Sequence, residues 1–359
     1  MDRTASPGEP MSAALSETSF DAAPPAPAPA PQQAMRTGAD LNVATKPYAV
    51  EDRAKSWRLL TEVLVLIVGS LVGIAVAPWW PVQLGLAVFV ALLNVRLFIF
   101  FHDYLHSAIF VDSKAAGVIF SVTGFYMLSV RSVWRETHNY HHKNNAKLIG
   151  SAIGSFPVLT IGMWRSIDPG KRRLYRILRH PLTIFFGYFT VFLIGMTISP
   201  FRRDAKKHWG GPVAMLVHFA LFVLAGVTLG WLTAFFLVPL PLIISLGAGS
   251  YLFFAQHNFP DIKLRDRRAW DYTFAALNSS SYFKMSKLMH WFTGNIGYHH
   301  VHHLNHRIPF YRLPEAMAAL PELQSPGTTT WRLKDVVANL QLAVWDPEQG
   351  RMLTWSEVR

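Results

Sequence analysis

Long apolar stretches alternate along this chain with polar segments that carry most of its charge. The first two, Val63–Trp80 and Val82–Phe101, are each long enough to cross the ~30 Å hydrocarbon core of a bilayer as a helix. The turn between them, residues 77–81, is uncharged and contains two Pro and two Trp. Because Pro interrupts helices and Trp prefers the membrane interface, this pattern predicts a transmembrane hairpin.

Three further apolar stretches differ in length and flanking charge. Ala115–Val130 is short for a span, which favours a re-entrant or interfacial segment. Pro181–Pro200 is long enough to cross, but basic residues flank both of its ends, so we expect a bent or surface-lying segment. Pro212–Phe254 is about twice the length of one span and is broken near Pro239 and Pro241. It therefore predicts a second hairpin.

These elements predict an all-α integral membrane protein with four transmembrane helices in two hairpins and with re-entrant or interfacial helices. An even number of spans leaves both termini and the central loop on one side. Nearly all Lys and Arg lie on that side, so we expect it to be cytoplasmic. The polar segment from Leu313 predicts helices outside the membrane. The expected domains are a disordered Pro/Ala-rich tail (1–50), a membrane domain (51–325) and a C-terminal cytoplasmic segment (326–359).

Composition supports a membrane protein and narrows its chemistry. Hydrophobic residues make up 51% of the chain and charged residues 16%, against ~25% charged in typical soluble domains. The net charge of +12 indicates loops beside anionic lipid rather than a nucleic-acid surface. The chain has no Cys, which excludes disulfides, thiolate nucleophiles and iron–sulfur clusters bound by its own residues.

Histidines are abundant and clustered. His102 and His106 are spaced i and i+4, which puts both imidazoles on one face of a helix. Two H-x-x-H-H segments repeat that geometry with spacing i, i+3 and i+4, and one more histidine follows the fourth predicted span. The nine candidate metal ligands are His102, His106, His138, His141, His142, His257, His299, His302 and His303.

Nine imidazoles exceed the needs of a mononuclear site, because one zinc ion takes four ligands. They suit two metal ions with four or five protein ligands each and with positions left open. Imidazole binds Zn, Cu, Fe and Ni, so the ligand type alone does not identify the metal. A dinuclear site beside lipid-accessible apolar helices favours iron and dioxygen. Interfacial histidines that hydrogen-bond lipid headgroups would explain a single box but not the whole set.

The sequence also leads to predictions for four residues that lie beside the boxes. Asp103 could orient a metal-bound histidine by accepting its second N–H, or could be a solvated acid. Asn295 could bind or orient a metal-bound water, or could be a turn residue after Gly294. His300 should lie off the metal face, because adjacent helical positions diverge by ~100°. His306 is expected at the surface or an interface.

The three boxes and their order resemble the membrane fatty acid desaturases. Residues 292–304, FTGNIGYHHVHHL, followed by residues 307–313, RIPFYRL, are most similar to the bacterial acyl-lipid desaturases. The resemblance extends over roughly residues 50–325. It implies a helical membrane anchor, in the bacterial inner membrane, under a cytoplasmic cap that holds two irons. The family's ligands carry over onto the nine histidines named above.

The resemblance also implies a reaction and its partners: dioxygen-dependent insertion of a cis double bond into the acyl chain of a lipid or a CoA thioester. Electrons would come from a separate ferredoxin or cytochrome b5-like donor, because the chain has no fused haem domain with its Gly-Gly loop. One departure is the first box, HDYLH, which has Tyr104 where many members have a small residue near the middle.

Other functions remain to be compared. A diiron hydroxylase or ketolase acting on a fatty acid, alkane or carotenoid would use similar boxes, and its product would gain oxygen instead of losing two hydrogens. A metal transporter would place ionisable residues within its spans, whereas these histidines cluster outside them. A zinc membrane protease is disfavoured because the chain has no H-E-x-x-H segment.

Overall fold

The apolar stretches form long helices in the computed structural model, which describes residues 35–148 and 155–358. In chain order the α-helices are α1 (Gly38–Thr45), α2 (Arg53–Val76), α3 (Trp80–Leu105), α4 (Lys114–Tyr126), α5 (Arg131–Asn144), α6 (Ile161–Ser166), α7 (Pro169–Leu178), α8 (Pro181–Phe185), α9 (Ser199–Arg203), α10 (Ala205–His208), α11 (Gly210–Leu229), α12 (Trp231–Leu237), α13 (Pro239–Gln256), α14 (Tyr272–Asn278), α15 (Lys287–Phe292), α16 (His299–Leu304), α17 (Leu313–Ala319) and α18 (Leu333–Gln341).

A π-helix, Tyr188–Ile198, lies between α8 and α9, and short 3₁₀-helices cover Lys46–Tyr48, Phe310–Arg312 and Pro321–Leu323. The strands are β1 (Tyr282–Lys284), β2 (Thr328–Thr330), β3 (Leu342–Asp346) and β4 (Arg351–Thr354). β1 pairs with β2 in parallel, and β3 pairs with β4 antiparallel.

Within the described residues, four helical segments are long and apolar enough to span a membrane: α2, α3, α11 and the α12–α13 segment, Trp231–Gln256. This confirms the predicted fold class. The α12–α13 segment is interrupted at Val238, and Pro239 opens α13 at a helix position where a missing N–H costs nothing. Apolar side chains such as Val68 and Phe219 are mostly exposed on these spans, as expected of surfaces that face lipid.

The two ambiguous apolar stretches do not form straight spans. α4 and α5 meet at a bend of 88°, which fits the predicted re-entrant segment and turns the second histidine box towards α3. The stretch from Pro181 to Pro200 divides into α8, the π-helix and the start of α9. Gly187 lets this segment approach α13 closely, because a Cβ at that position would lie 2.3 Å from the Cβ of Ser250.

The second span, α3, occupies the centre of the helical body and ends in the first histidine box. It packs against α2 on one side and α13 on another. Arg96 is buried on this helix, donates a hydrogen bond to the carbonyl oxygen of Trp291, and stacks 4.4 Å from the Trp291 ring centroid. The guanidinium also faces the ring of Phe310 at 5.4 Å. This contact ties the loops on both sides of the third box to α3.

The expected N-terminal tail covers residues 1–50, of which 1–34 lie outside the described residues. From Gly38 onward the chain is helical as far as Thr45. Asn42 on α1 donates to the carbonyl oxygen of Leu304 at 3.2 Å, and Asn305 donates to the Thr45 hydroxyl at 2.8 Å. The segment is therefore attached to the end of α16, the helix that carries the third box.

The polar region from Leu313 onward contains the helices α17 and α18, but it also contains the β3–β4 hairpin, which the sequence did not predict. Tyr175 of α7 is buried against this hairpin. Its hydroxyl donates to the carbonyl oxygen of Ala343 at 2.6 Å and accepts from the backbone N–H of Leu159 at 3.2 Å. One side chain thus joins α7, the hairpin and the loop before α6.

We expect Tyr175→Phe to lower the stability of this C-terminal region. The change leaves a buried carbonyl and a buried N–H without partners, which costs about 1–3 kcal/mol for such groups. The apparent Tm of the detergent-solubilised protein should fall by a few degrees. Tyr48→Phe is the matched control, because among the described residues the Tyr48 hydroxyl has no hydrogen-bond partner and its ring stacks under Arg312. Equal Tm values for the two variants would contradict the assignment.

Candidate metal centre

The histidine boxes reach one place from four separate elements. His102 lies in the last turn of α3 and His106 caps it. The second box lies on α5, the third on α16, and His257 follows directly after α13. Because α3 and α13 leave the membrane at the same end, their terminal residues meet outside the apolar layer. Eight of the nine imidazoles are buried, and His257 is partly buried.

The nine histidines divide into two compact groups. Within each group the candidate ligand atoms all lie within 4.8 Å of one another. The five-imidazole group takes both residues of the first box, two of the second and one of the third: His102, His106, His138, His142 and His302. The four-imidazole group contains His141, His257, His299 and His303. Two metal ions with four or five protein ligands each would need a division of this kind.

The four-imidazole group forms a closed ring of Nε2 atoms. The Nε2 of His141 lies 3.1 Å from that of His257 and 3.3 Å from that of His303. The Nε2 of His299 lies 2.8 Å from that of His257 and 3.1 Å from that of His303. Nitrogens bound to one ion through ~2.1 Å bonds would lie ~3.0–3.4 Å apart, depending on geometry. Three of the four distances fall in this range and the fourth, 2.8 Å, is just below it, so the ring has the size that a coordination shell would need.

Hydrogen bonds alone do not account for this ring. A neutral imidazole nitrogen either donates or accepts, but not both. Around a ring of four such atoms, at most two of the four contacts can be hydrogen bonds. The other contacts would set lone pairs or N–H groups against each other. A cation at the centre of the ring accepts all four lone pairs and removes the conflict.

The five-imidazole group shows the same crowding. The Nε2 atoms of His138 and His142 lie 3.1 Å apart, and the Nε2 atoms of His142 and His302 are also separated by 3.1 Å. The ring centroids of His102 and His302 are 4.5 Å apart. The buried Nε2 of His106 has no hydrogen-bond partner among the described residues, as expected of a nitrogen that is reserved for a metal.

Two ligand candidates have their tautomers set by acceptors outside the groups. The Nδ1–H of His257 donates to the carbonyl oxygen of Ser279 at 3.1 Å. The Nδ1–H of His102 donates to Oδ1 of Asp103 at 2.9 Å. Each bond leaves the Nε2 lone pair free to face a metal. Asp103 is buried rather than solvated, and its other oxygen accepts from the backbone N–H of Phe310 at 2.7 Å.

Burial keeps these imidazoles in the neutral form that binds metals. It lowers the pKa of His257 to about 4. Burial also holds the pKa of His299, His302 and His303 well below the usual value, and the neighbouring imidazoles add to this effect. At neutral pH the lone pairs are therefore available, and a bound metal does not have to displace protons.

Two neighbouring residues belong to neither group. His300 points away, and its Nε2 bonds the carbonyl oxygen of Leu323 at 3.0 Å, which confirms that it lies off the metal face. Asn295 has a φ of +54° and donates to the carbonyl oxygen of Phe310 at 3.1 Å, so it acts as a turn residue. Gly294 before it has a φ of +51°, and a Cβ there would lie 2.8 Å from the Ile99 side chain. This tight turn aims the chain into α16.

The structure adds two side chains that the sequence did not single out. Trp134 stacks on His138 with ring centroids 4.7 Å apart and an angle of 20°. Phe253 packs against His141 at 4.9 Å. His306, expected at the surface or an interface, is half-buried with its ring 4.7 Å from that of His106. Trp134 precedes His138 by four residues, and Phe253 precedes His257 by four. Helical spacing alone could therefore have placed both rings beside the candidate ligands.

An apolar cavity runs from between the helices to the two groups. Its walls come from α3, the π-helix and α13, and include Val95, Phe98, Phe192, Met196, Leu246 and Leu252. At one end it is lined by His102 and His138 of the five-imidazole group and by His299 of the four-imidazole group. A lipid-like chain in this cavity would lie against both groups of imidazoles.

Comparison with known proteins agrees with this architecture. Residues 77–333 match the model of the fatty acid desaturase family. A fatty acid desaturase of Bacillus subtilis is 31% identical over 278 residues, which cover 77% of this chain and 78% of the relative. A chloroplastic omega-6 fatty acid desaturase of Brassica napus is 22% identical over 321 residues, covering 83% of this chain and 68% of the relative. The chain is therefore a member of the fatty acid desaturase family, a membrane-embedded oxidoreductase.

Proposed function

We propose that the two imidazole groups hold two iron ions and that the protein uses them, with dioxygen, to insert a cis double bond into a membrane-borne acyl chain. The observation that carries the proposal is the apolar cavity that ends against both groups. Removing hydrogen from an unactivated methylene needs an oxidant stronger than any side chain, and a pair of irons with dioxygen supplies it.

The five-imidazole group would bind one ion, and the four-imidazole group the other. Their donor set of neutral nitrogens is compatible with several transition metals, so the choice of iron follows from the desaturase reaction. The chain's own contribution is to set the position of the ligands and of the substrate. Cavity residues such as Phe98 and Leu252 would exclude water and hold one methylene beside the imidazoles.

Orientation in the membrane follows from charge. We infer that the imidazole groups face the cytoplasm of a bacterial inner membrane, since positively charged loops are retained on the cytoplasmic side. The segment of α9 and α10 contains Arg202, Arg203, Lys206 and Lys207, all exposed. It lies on the same side of the spans as the histidine groups.

That basic segment is also the best place for an electron donor to dock. Lys207 pairs with Glu136 of α5 at 2.6 Å, so the segment is attached to the helix that carries His138, His141 and His142. Arg135 and Lys143 add two exposed cations on α5 itself. An acidic ferredoxin or cytochrome b5-like protein bound here would be one helix away from the metal ligands.

Removal of one ligand from the four-imidazole group should eliminate one metal ion and the activity. For His141→Ala we expect the iron content to fall from about two to about one per chain, and the unsaturated product to disappear. His300→Ala is the matched control, because its ring bonds Leu323 instead of facing a metal. It should keep two irons and part of the activity.

The measurements are elemental analysis of the purified protein and mass spectrometry of membrane fatty acids in a host that supplies a donor. A product lighter by two hydrogens supports desaturation, whereas a product with added oxygen would identify a hydroxylase or ketolase. Wild-type protein that folds without binding iron, or an His141→Ala variant with unchanged iron content, would contradict the proposal.

Asp103→Asn tests the support of the five-imidazole group. The amide has one acceptor oxygen, so it cannot accept from both His102 and the N–H of Phe310. We expect iron affinity to fall about 10- to 100-fold, the usual effect of losing a hydrogen bond to a ligating histidine. Chelator competition measures this change. Asp112→Asn, the same change on an exposed loop residue, should leave the affinity unaltered, and equal affinities in both variants would count against a supporting role for Asp103.

The donor site is tested by charge reversal. Arg203→Glu combined with Lys206→Glu should lower donor-dependent kcat/KM about tenfold or more at low salt, within the range of electrostatic steering. Salt should reduce the difference from wild type. Arg173→Glu, on the other basic helix α7, is the control and should have little effect. Turnover of the wild type that does not respond to salt would eliminate this docking surface.

A further inference from the structure

Arg179 is a buried cation without an anion. Its side chain is 1% exposed. The guanidinium donates to the carbonyl oxygens of Pro157 and Leu342, both at 2.9 Å, and to Oδ1 of Asn258 at 2.5 Å. Its Nε has no partner, and no carboxylate pairs with it, among residues 35–148 and 155–358. These three acceptors are neutral, so the buried charge is hydrogen-bonded but not neutralised, and an anion near it would offset part of the cost of burial.

Arg179 lies between two cavities. On one side is a cleft of 550 Å³ lined by Arg176, His180, Gln341 and the apolar side chains of Val337, Leu340 and Trp355. On the other side, a small cavity is lined by Asn258, His257, Phe156 and Phe253. No described residue lining the cleft is acidic.

The small cavity lies next to the apolar cavity at the metal centre. Phe156 and Phe253 line both of them, just as Arg179 lines both the small cavity and the cleft. The three spaces therefore lie in series from the cleft to the imidazole groups. Asn258, which accepts from Arg179, is the residue after His257, so the cation is close to the four-imidazole group.

The segments on either side of the cleft have the composition of a chain at the level of lipid headgroups. The helix before it, α7, is amphipathic: Leu174 and Ile177 are exposed on one face, and Arg172, Arg173 and Arg176 are the neighbouring cations. The segment after it exposes apolar rings, with Phe185, Phe186 and Phe189 each 41–49% accessible. A basic amphipathic helix followed by exposed rings is typical of the boundary between headgroups and acyl chains.

We propose that the cleft binds the phosphate of the molecule that carries the acyl substrate, with Arg176 and His180 at its rim and Arg179 at its inner wall. Arginine suits this role because its planar fork binds phosphate or carboxylate oxygens through paired N–H groups. This inference rests on the proposed function. It specifies the substrate as a phosphate-bearing acyl carrier, and the position of the cleft favours a membrane glycerophospholipid over a soluble phosphopantetheine thioester.

The site can be tested by binding alone, without turnover, on the protein as purified. The full chain in a neutral detergent is titrated with dioctanoyl-phosphatidylglycerol, with dioctanoylglycerol, which lacks the phosphate, and with octanoyl-CoA. Calorimetry or native mass spectrometry gives the dissociation constants. The test variant is Arg176→Gln with His180→Gln, which changes only exposed rim residues and therefore preserves the buried Arg179 contacts. The control is Arg173→Gln, an exposed arginine of the same helix outside the cleft lining.

We expect phosphatidylglycerol to bind the wild type more tightly than dioctanoylglycerol does, and the double variant to raise its Kd about tenfold, equivalent to ~1.4 kcal/mol. Arg173→Gln should leave every Kd unchanged. If only octanoyl-CoA shows the dependence on Arg176 and His180, the phosphate site stands and the carrier is a thioester. Equal Kd values for the phospholipid and dioctanoylglycerol, or equal effects of the test and control variants, would overturn the inference.

This outcome is independent of the metal chemistry. If the protein binds the phospholipid through the cleft but makes no unsaturated product with iron and a donor, the proposed function fails and the lipid site remains. If it makes the product but binds the phospholipid no better than dioctanoylglycerol, the proposed function remains and the phosphate site fails.

Discussion

Four or five neutral imidazoles can share a space a few ångströms across only when a positive charge occupies its centre. In the ring formed by His141, His257, His299 and His303, each Nε2 faces two others at 2.8–3.3 Å. Without a cation, lone pairs would repel across this ring, and burial prevents the imidazoles from relieving the repulsion by protonation. The surrounding structure can be understood as the scaffold that keeps these donors together.

The bilayer supplies part of that scaffold. Spans α3 and α13 leave the membrane at the same end, so His102 and His257 come together through topology rather than through sequence proximity. α5 and α16 then bring in the other boxes, and polar contacts hold their orientation. Asp103 connects α3 to the segment after the third box through Phe310, and Arg96 connects the same helix to Trp291 before that box. Two buried polar side chains of one span therefore determine how α16 meets the first box.

Much of the site could be predicted because helical spacing is local. Residues i, i+3 and i+4 share a face whatever the tertiary structure, which places His299, His302 and His303 together and turns His300 away. The number of spans and their pairing into hairpins could also be predicted, because they depend on the length of the apolar stretches. Helical spacing could not predict how the second box divides between the two groups. His138 and His142 join one group, whereas His141 joins the other. That division depends on which helices lie on either side of α5.

The features that escaped prediction all depend on tertiary contacts. The π-helix is stabilised by its place against α13, where Gly187 meets Ser250, and no local pattern distinguishes it from an α-helix. The β3–β4 hairpin is short and lacks the Asn-Gly or Asp-Gly turn that would indicate it. His306 is four residues after His302, but α16 ends at Leu304, so helical spacing does not explain how the following chain brings His306 to His106. The sequence allowed two roles for Asn295: contact with a metal-bound water, or a turn residue. Its positive φ supports the turn.

The unequal size of the two groups has a chemical consequence. If each group held one ion, five nitrogens would surround the first and four the second, so the ion in the four-imidazole group would have more room for other ligands. Phe253 packs on His141 and lines the apolar cavity. Among the described residues, no fifth candidate ligand joins the four-imidazole group. The cavity reaches His299 of this group and His102 of the other. An acyl chain in the cavity would therefore approach the pair of ions from one shared side, with the ligand-poor ion adjacent to an apolar wall that excludes water.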